Sequence, residues 1–284
     1  MPLREISTTE ALREQLSEWR HAGDHIALVP TMGSLHEGHL SLIKLARRHA
    51  ERLVVSIFVN PTQFGEGEDY DAYPRSMEAD KRKLKLLNVD LLFAPDVATL
   101  YPKGIENATS VTVPVLTDEL CAAFRPGHFD GVTTVVSRLF SLVQPDVAVF
   151  GQKDFQQLHV IRHLVEDLNL PIEIVSGRTK REDDGLAMSS RNQYLSDDER
   201  KLAPKLYATL CAVGERLESG DRRYTKLENG AVAELKKLGF DPEYVSIRRA
   251  ANLEKPDREN DELVILAAAR LGKARLIDNV IVHT

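Results

Sequence analysis

Between residues 25 and 176 the chain alternates short apolar runs with amphipathic stretches, and this alternation restricts the fold more than anything else in its 284 residues. The runs IALVP, LVVSIFV, LLFAP, VAVFG and IEIVS have strand length. Between them, LSLIKLARRHAE and SMEADKRKLKLLN place apolar residues three and four apart, as a helix lying on a sheet requires. Strand and helix in repetition build a parallel sheet. The pattern predicts an α/β fold, a Rossmann-like doubly wound domain over residues 1–179.

Beyond about residue 180 the order changes. Two helical stretches, 197–219 and 224–238, precede three strand-like runs, EYVSIR, ELVILAAAR and RLIDNVIV. Strands joined by short connections usually pair antiparallel, so residues 180–284 are expected to form a second, smaller α+β domain. The charged segment 176–184, which contains Gly177, is the expected hinge. The position of DGLAMSSRN beside the expected hinge leads to the expectation that this domain acts as a lid.

Composition removes several function classes. Hydrophobic residues at 43% and charged residues at 28% match an ordinary globular domain, so disordered and fibrous classes are excluded. A net charge of −6 without a lysine or arginine stripe argues against a nucleic-acid partner. Cys121 and Cys211 form no disulfide framework and no zinc spacing, which fits a reducing compartment. The first twenty residues carry charges throughout, without the apolar core of a signal peptide or the length of a membrane span. A cytoplasmic protein without a membrane partner is expected.

The run IALVP leads through Thr31 into Met32, Gly33, Ser34, Leu35, His36, Glu37, Gly38 and His39, and then into a helical pattern. In an open parallel sheet ligands bind beyond the carboxyl ends of the strands, where a starting helix points backbone N–H groups at an anion. His36 and His39 flank Gly38 as HxGH, an arrangement suited to a flat base near the backbone with both imidazoles on a phosphate chain. Alone, the two histidines could equally cap the helix, and a metal role lacks a third ligand. A second cluster, Gly151, Gln152, Lys153 and Asp154, follows another strand end, with Gln157 one turn further on. Lys153 could reach the same crevice and balance charge on a triphosphate, while Asp154 could accept from ribose hydroxyls. A solvated pair at a helix start is the commoner meaning of Lys153 and Asp154. The third cluster, Met188, Ser189, Ser190 and Arg191 within DGLAMSSRN, could wrap phosphate oxygens or be an ordinary capping loop.

The segments VPTMGSLHEGH, FVNPTQFGEGEDYDAYPR, RPGHFDGV, FGQKDFQQL and DGLAMSSRNQYL stand in the order found in pantothenate synthetases. On them the chain resembles that family over nearly all of its first 200 residues. The HxGH loop and the serine-rich loop by themselves resemble the wider nucleotidyltransferase superfamily that includes class I aminoacyl-tRNA synthetases. The family resemblance implies an ATP-dependent ligase that converts pantoate to an acyl adenylate, releases pyrophosphate, and joins the acyl group to β-alanine with loss of AMP. It implies magnesium with the nucleotide, with its ligands unassigned, and a homodimer.

The resemblance also implies residue roles. His36, His39, Lys153, Ser189, Ser190 and Arg191 would offset phosphate charge, with His39 as proton donor. Met32 and Gly38 would line the nucleotide pocket, and Gly151, Asp154 and the backbone near Lys180 would hold ribose and adenine. Gln63 and Gln157 would bind the pantoate hydroxyls, with Asn60 and Arg125 shaping or charging the same pocket. Phe64 and Phe129 are expected as pocket walls or core. The chain departs from the family pattern at Gln152, where many members carry glutamate, and at Ala122, Arg178 and Lys180. Two rival readings are another HxGH nucleotidyltransferase and a non-catalytic nucleotide sensor. The glutamines oppose the first, and the intact Lys153 and serine loop oppose the second.

Overall fold

Apolar runs too short for helices become strands in the computed structural model, which describes residues 3–65, 67–114, 119–257 and 262–283. The chain forms two compact units: residues 1–152 with 157–178, and residues 153–156 with 179–284.

In the first unit the five expected runs are β2 (Ile26–Thr31), β3 (Arg52–Ile57), β4 (Leu91–Phe93), β5 (Val147–Gly151) and β6 (Glu173–Gly177). A further edge strand, β1 (Arg4–Ile6), pairs with β4. All pairs are parallel, and the order is β1-β4-β3-β2-β5-β6. The helices are α1 (Thr9–His21), α2 (Glu37–Ala46), α3 (Met77–Leu86), the single turns α4 (Val97–Leu100) and α5 (Cys121–Phe124), α6 (His128–Val143) and α7 (Phe155–Asp167). Leu28 and Val29 of β2, Val54 and Val55 of β3 and Ala148 of β5 are buried, because a central parallel sheet is covered on both faces. From β2 the chain builds outward through β3 and β4, whereas β5 and β6 lie on β2's other side. The switch point, the usual ligand position in such a sheet, therefore lies at the carboxyl ends of β2 and β5.

In the second unit α8 (Asp197–Leu202), α9 (Lys205–Glu218) and α10 (Tyr224–Lys237) precede the antiparallel sheet β7 (Asp241–Arg249), β8 (Glu262–Leu271) and β9 (Ala274–His283). Leu206, Leu210 and Leu217 of α9, Leu227 and Leu235 of α10, and Ile265, Ala267 and Leu276 of the sheet share one core. The continuous helix expected over 197–219 is broken at Ala203–Pro204. Pro204 has no N–H to continue the hydrogen-bond ladder, so α8 ends there and the helix restarts with Pro204 as N-cap. Ahead of α8, Arg181 bridges Ala187, and Glu182 N donates to Leu186 O at 2.9 Å, forming a small hairpin. Among the described residues no helix is long and apolar enough to cross a membrane.

Candidate active site

The HxGH spacing has a geometric cause. His36 is the N-cap of α2 and His39 its third helical residue, and each fills the capping need of the other. Gly38 N donates to His36 Nδ1 at 3.1 Å, and His36 N donates to His39 Nδ1 at 3.3 Å. The rings lie 4.1 Å apart between centroids. With each Nδ1 accepting a backbone N–H, a neutral ring carries its proton on Nε2, so each imidazole is a donor at that atom. Capping and ligand binding are therefore compatible uses of the same two side chains.

The turn before this helix is held from below. Gly33 and Ser34 both adopt left-handed backbone, φ 80° and 49°, and a Cβ on Gly33 would meet Ile57 Cγ2 at 3.0 Å. Left-handed backbone at Ser34 costs energy unless neighbours enforce it. Asp80 of α3, fully buried, does so: it accepts from Ser34 N at 2.8 Å, Leu35 N at 2.9 Å and Ser76 Oγ at 3.2 Å. Lys83, one turn along, donates to the Leu35 carbonyl. Asp80 was not among the residues read from the sequence, although its position announces it. It lies three residues after Met77 and four before Leu84, so a carboxylate interrupts the apolar stripe of α3.

The segment after β3 carries Asn60 and Gln63 on a single 3-10 turn, Pro61–Gln63. Asn60, fully buried, accepts at Oδ1 from Thr62 N at 3.3 Å, Thr62 Oγ1 at 3.0 Å and Tyr101 OH at 3.0 Å, and donates to Gly131 O at 3.1 Å. Its polar atoms serve the protein, so Asn60 shapes this turn. Arg125 donates to Glu68 through Nε at 2.7 Å and Nη2 at 2.6 Å, and to the Gln63 carbonyl at 3.1 Å. Burial alone would raise the Glu68 carboxyl; the Arg125 hydrogen bonds and charge outweigh it and hold the value down to about 2. Arg125 is thus largely neutralised by a partner within the protein. His128 Nδ1 also lies 2.8 Å from the Gln63 carbonyl. The Gln63 backbone is fixed from two sides, whereas its side-chain amide has no hydrogen bond among the described residues. Gly131 lets α6 approach this turn: a Cβ there would stand 2.6 Å from the Thr62 carbonyl carbon and 2.9 Å from Gln63 N. Phe129 is core, as expected, and Phe64 stacks edge-on against Tyr70 and Tyr73.

Gly151 ends β5, with Gln152 next in the chain, and Gln157 lies in the first turn of α7. A Cβ on Gly151 would be 3.6 Å from Leu42 Cδ1, so α2 packs closely over the end of β5. Lys153 and Asp154, in the 3-10 turn Gln152–Asp154, belong to the second unit. Among the described residues no carboxylate pairs with the Lys153 ammonium, while its carbonyl accepts from Asn279 Nδ2 at 3.0 Å. Lys180 lies at the mouth of the hairpin, its carbonyl accepting from Met188 N at 3.0 Å. Ser189 caps the 3-10 turn Ser190–Tyr194, its Oγ accepting from Arg191 N at 3.3 Å. Asn192 Nδ2 ties that turn to the hairpin through Ala187 O at 3.1 Å. The hairpin is anchored by Arg181, which pairs with the buried Asp278 at 2.6 and 2.8 Å and lies 3.5 Å over the Tyr207 ring. Sequence reading missed Arg181, Asp278 and Asn279, because partners distant in sequence give no local signal.

Comparison with known proteins agrees on one family. A family described as Pantoate-beta-alanine ligase matches residues 4–281. The chain is 54% identical over 280 residues to a pantothenate synthetase of Halorhodospira halophila, covering 98% of both chains. Among solved structures it is similar to the pantothenate synthetase of Thermus thermophilus, with a TM-score of 0.92, 46% identity and coverage of 99% and 100%. It is also similar to a pantoate-beta-alanine ligase from Francisella tularensis complexed with Beta-gamma ATP and Beta-alanine, with a TM-score of 0.80, 33% identity and coverage of 98% and 97%. A mutually capped HxGH helix at a sheet switch point, in a chain matched from end to end at this identity, identifies it as a member of the pantoate–β-alanine ligase family.

Proposed function

We propose that this enzyme condenses pantoate with β-alanine at the expense of ATP through a pantoyl adenylate. A pantoate carboxylate oxygen attacks the α-phosphorus, the bond to the bridging oxygen of pyrophosphate breaks, and pyrophosphate leaves. The β-alanine nitrogen then attacks the acyl carbon, its bond to the AMP oxygen breaks, and the new amide forms as the nitrogen loses a proton. The observation that carries this reading is the paired Nε2 donor set of His36 and His39 at the α2 N-terminus, where the helix dipole favours an anion.

Two anionic reactants meet only where donors offset their repulsion and the charge collecting on the leaving group. His39 acts there as hydrogen-bond and proton donor, with His36 beside it. Lys153, Ser189, Ser190 and Arg191 supply cationic and hydroxyl contacts to phosphate oxygens. Met32 and Gly38 line the nucleotide pocket, and Gly151, Asp154 and the Lys180 backbone receive ribose and adenine. Gln63 and Gln157 read the pantoate hydroxyls; a site built to hydrogen-bond them rejects deoxy analogues strongly.

Magnesium enters with the nucleotide. Among the described residues no group of three His, Cys, Asp or Glu side chains is arranged to hold a metal. Such an ion ordinarily keeps several waters and is held by substrate phosphates with one or two carboxylates. A homodimer and a cytoplasmic location belong to the same proposal, the first resting on the family resemblance and the second on the cysteine usage and the charged first twenty residues; light scattering on the purified protein tests the former.

The test is pantoate-dependent exchange of labelled pyrophosphate into ATP. Exchange that requires pantoate and precedes addition of β-alanine supports the adenylate. Folded protein that binds ATP without exchange would indicate a nucleotide sensor, and exchange driven by a different acceptor would indicate another nucleotidyltransferase.

A further inference from the structure

We infer that Asn279 is a positioning residue that sets Lys153, and that β9 holds both proposed phosphate-contacting segments of the second unit through adjacent side chains. Successive strand residues point to opposite faces of a sheet. On β9 these two residues are Asp278 and Asn279, paired across to Ala267 and Leu266 of β8. Asp278 grips Arg181 with both oxygens, and Arg181 in turn donates to Gly185 O at 3.1 Å inside the hairpin that leads to Ser189. Asn279 donates to the carbonyl of Lys153 at 3.0 Å and is itself buried. β9 also packs against the Ser190–Tyr194 turn.

Physical economy explains why such an anchor matters. A lysine ammonium rides on four rotatable bonds, so its aim depends on how firmly its backbone is held. Lys153 sits in a short 3-10 turn between a strand and a helix, where regular secondary structure constrains it least. The amide of Asn279 reaches it across 126 positions of sequence. The inference rests on the reading of Lys153 as a phosphate contact.

The experiment is a double-mutant cycle on the full-length enzyme, read by pantoate-dependent pyrophosphate exchange and by urea midpoint. Asn279→Asp removes the donor at constant shape, and Asn279→Ala serves if the first variant fails to fold. Either is expected to lower kcat about tenfold or more, with KM for ATP and pantoate within about threefold. In a Lys153→Ala background the same change should cost less than about twofold, because its effect passes through Lys153. Fully additive losses, or wild-type kcat in both Asn279 variants while Lys153→Ala is impaired, would overturn the inference and leave the proposed reaction standing. Near-normal exchange in Lys153→Ala would overturn the role of Lys153, and the inference with it.

Discussion

Replacing Gly131 by alanine sets two opposed effects against each other, and the structure decides between them. Gly131 lies inside α6, where alanine is favoured over glycine by about 1 kcal/mol of helix propensity. The added Cβ, however, would stand 2.6 Å from the Thr62 carbonyl carbon and closer still to its oxygen. Ordinary contact begins near 3.4 Å, so helix and turn must separate by at least 3.4 − 2.6, about 0.8 Å, and the nearer oxygen demands more. Overpacking of this kind costs about 1–3 kcal/mol, which outweighs the propensity gain and predicts net destabilisation of up to about 2 kcal/mol. The turn that moves carries Gln63, and a displacement near 1 Å can lower rate by about a hundredfold. Gly131→Ala should therefore lower the urea midpoint and reduce kcat/KM for pantoate in pyrophosphate exchange by about 10- to 100-fold. A higher midpoint with unchanged exchange, the outcome of helix propensity acting alone, would refute the steric argument.

Three further outcomes are expected. Lys153→Ala and His39→Ala should each reduce adenylate formation by about a hundredfold or more, the scale of one lost transition-state donor; near-normal exchange in either would remove that residue from its role. Glu68 has a folded value of about 2 against an ordinary 4.5, so the unfolded chain binds more protons in between; its contribution is full above pH 4.5 and is lost as pH falls toward 2. Acid unfolding of Glu68→Gln should accordingly be less steep across that window, and an unchanged slope would show that the Arg125 pair does not act through this titration. Asp80→Ala leaves the Ser34 and Leu35 N–H groups without their acceptor and should cost about 2–4 kcal/mol, read from the urea midpoint, with loss of ATP binding in calorimetry.

Legibility followed physical range. The runs that became β2 to β5 were readable because strands buried on both faces need continuous apolar sequence, while β6, a half-buried edge strand, showed itself through Ile172, Ile174 and Val175. The three residues of β1 offer only Ile6 to the core, too little to form a pattern. The helix break at Pro204 was readable in principle but was overridden by the apolar periodicity on both sides. His36 and His39 stood out by position and spacing, and their spacing proves to be that of an N-cap and third helical residue. Asn60 and Arg125 stood out as residue types, yet their contacts here are with Tyr101, Gly131 and Glu68. What the sequence could not disclose were long-range partners: Glu68 with Arg125 across 57 positions, or Arg181 with Asp278 across 97.

The allocation of residues 153–156 to the second unit constrains how this gene could be recombined. A chimaera joined near residue 178 would import a foreign β9 while leaving the native Lys153 segment upstream. Its donor would have to bring an asparagine in register with that segment, so fragments exchange cleanly only between parents that share this hydrogen bond.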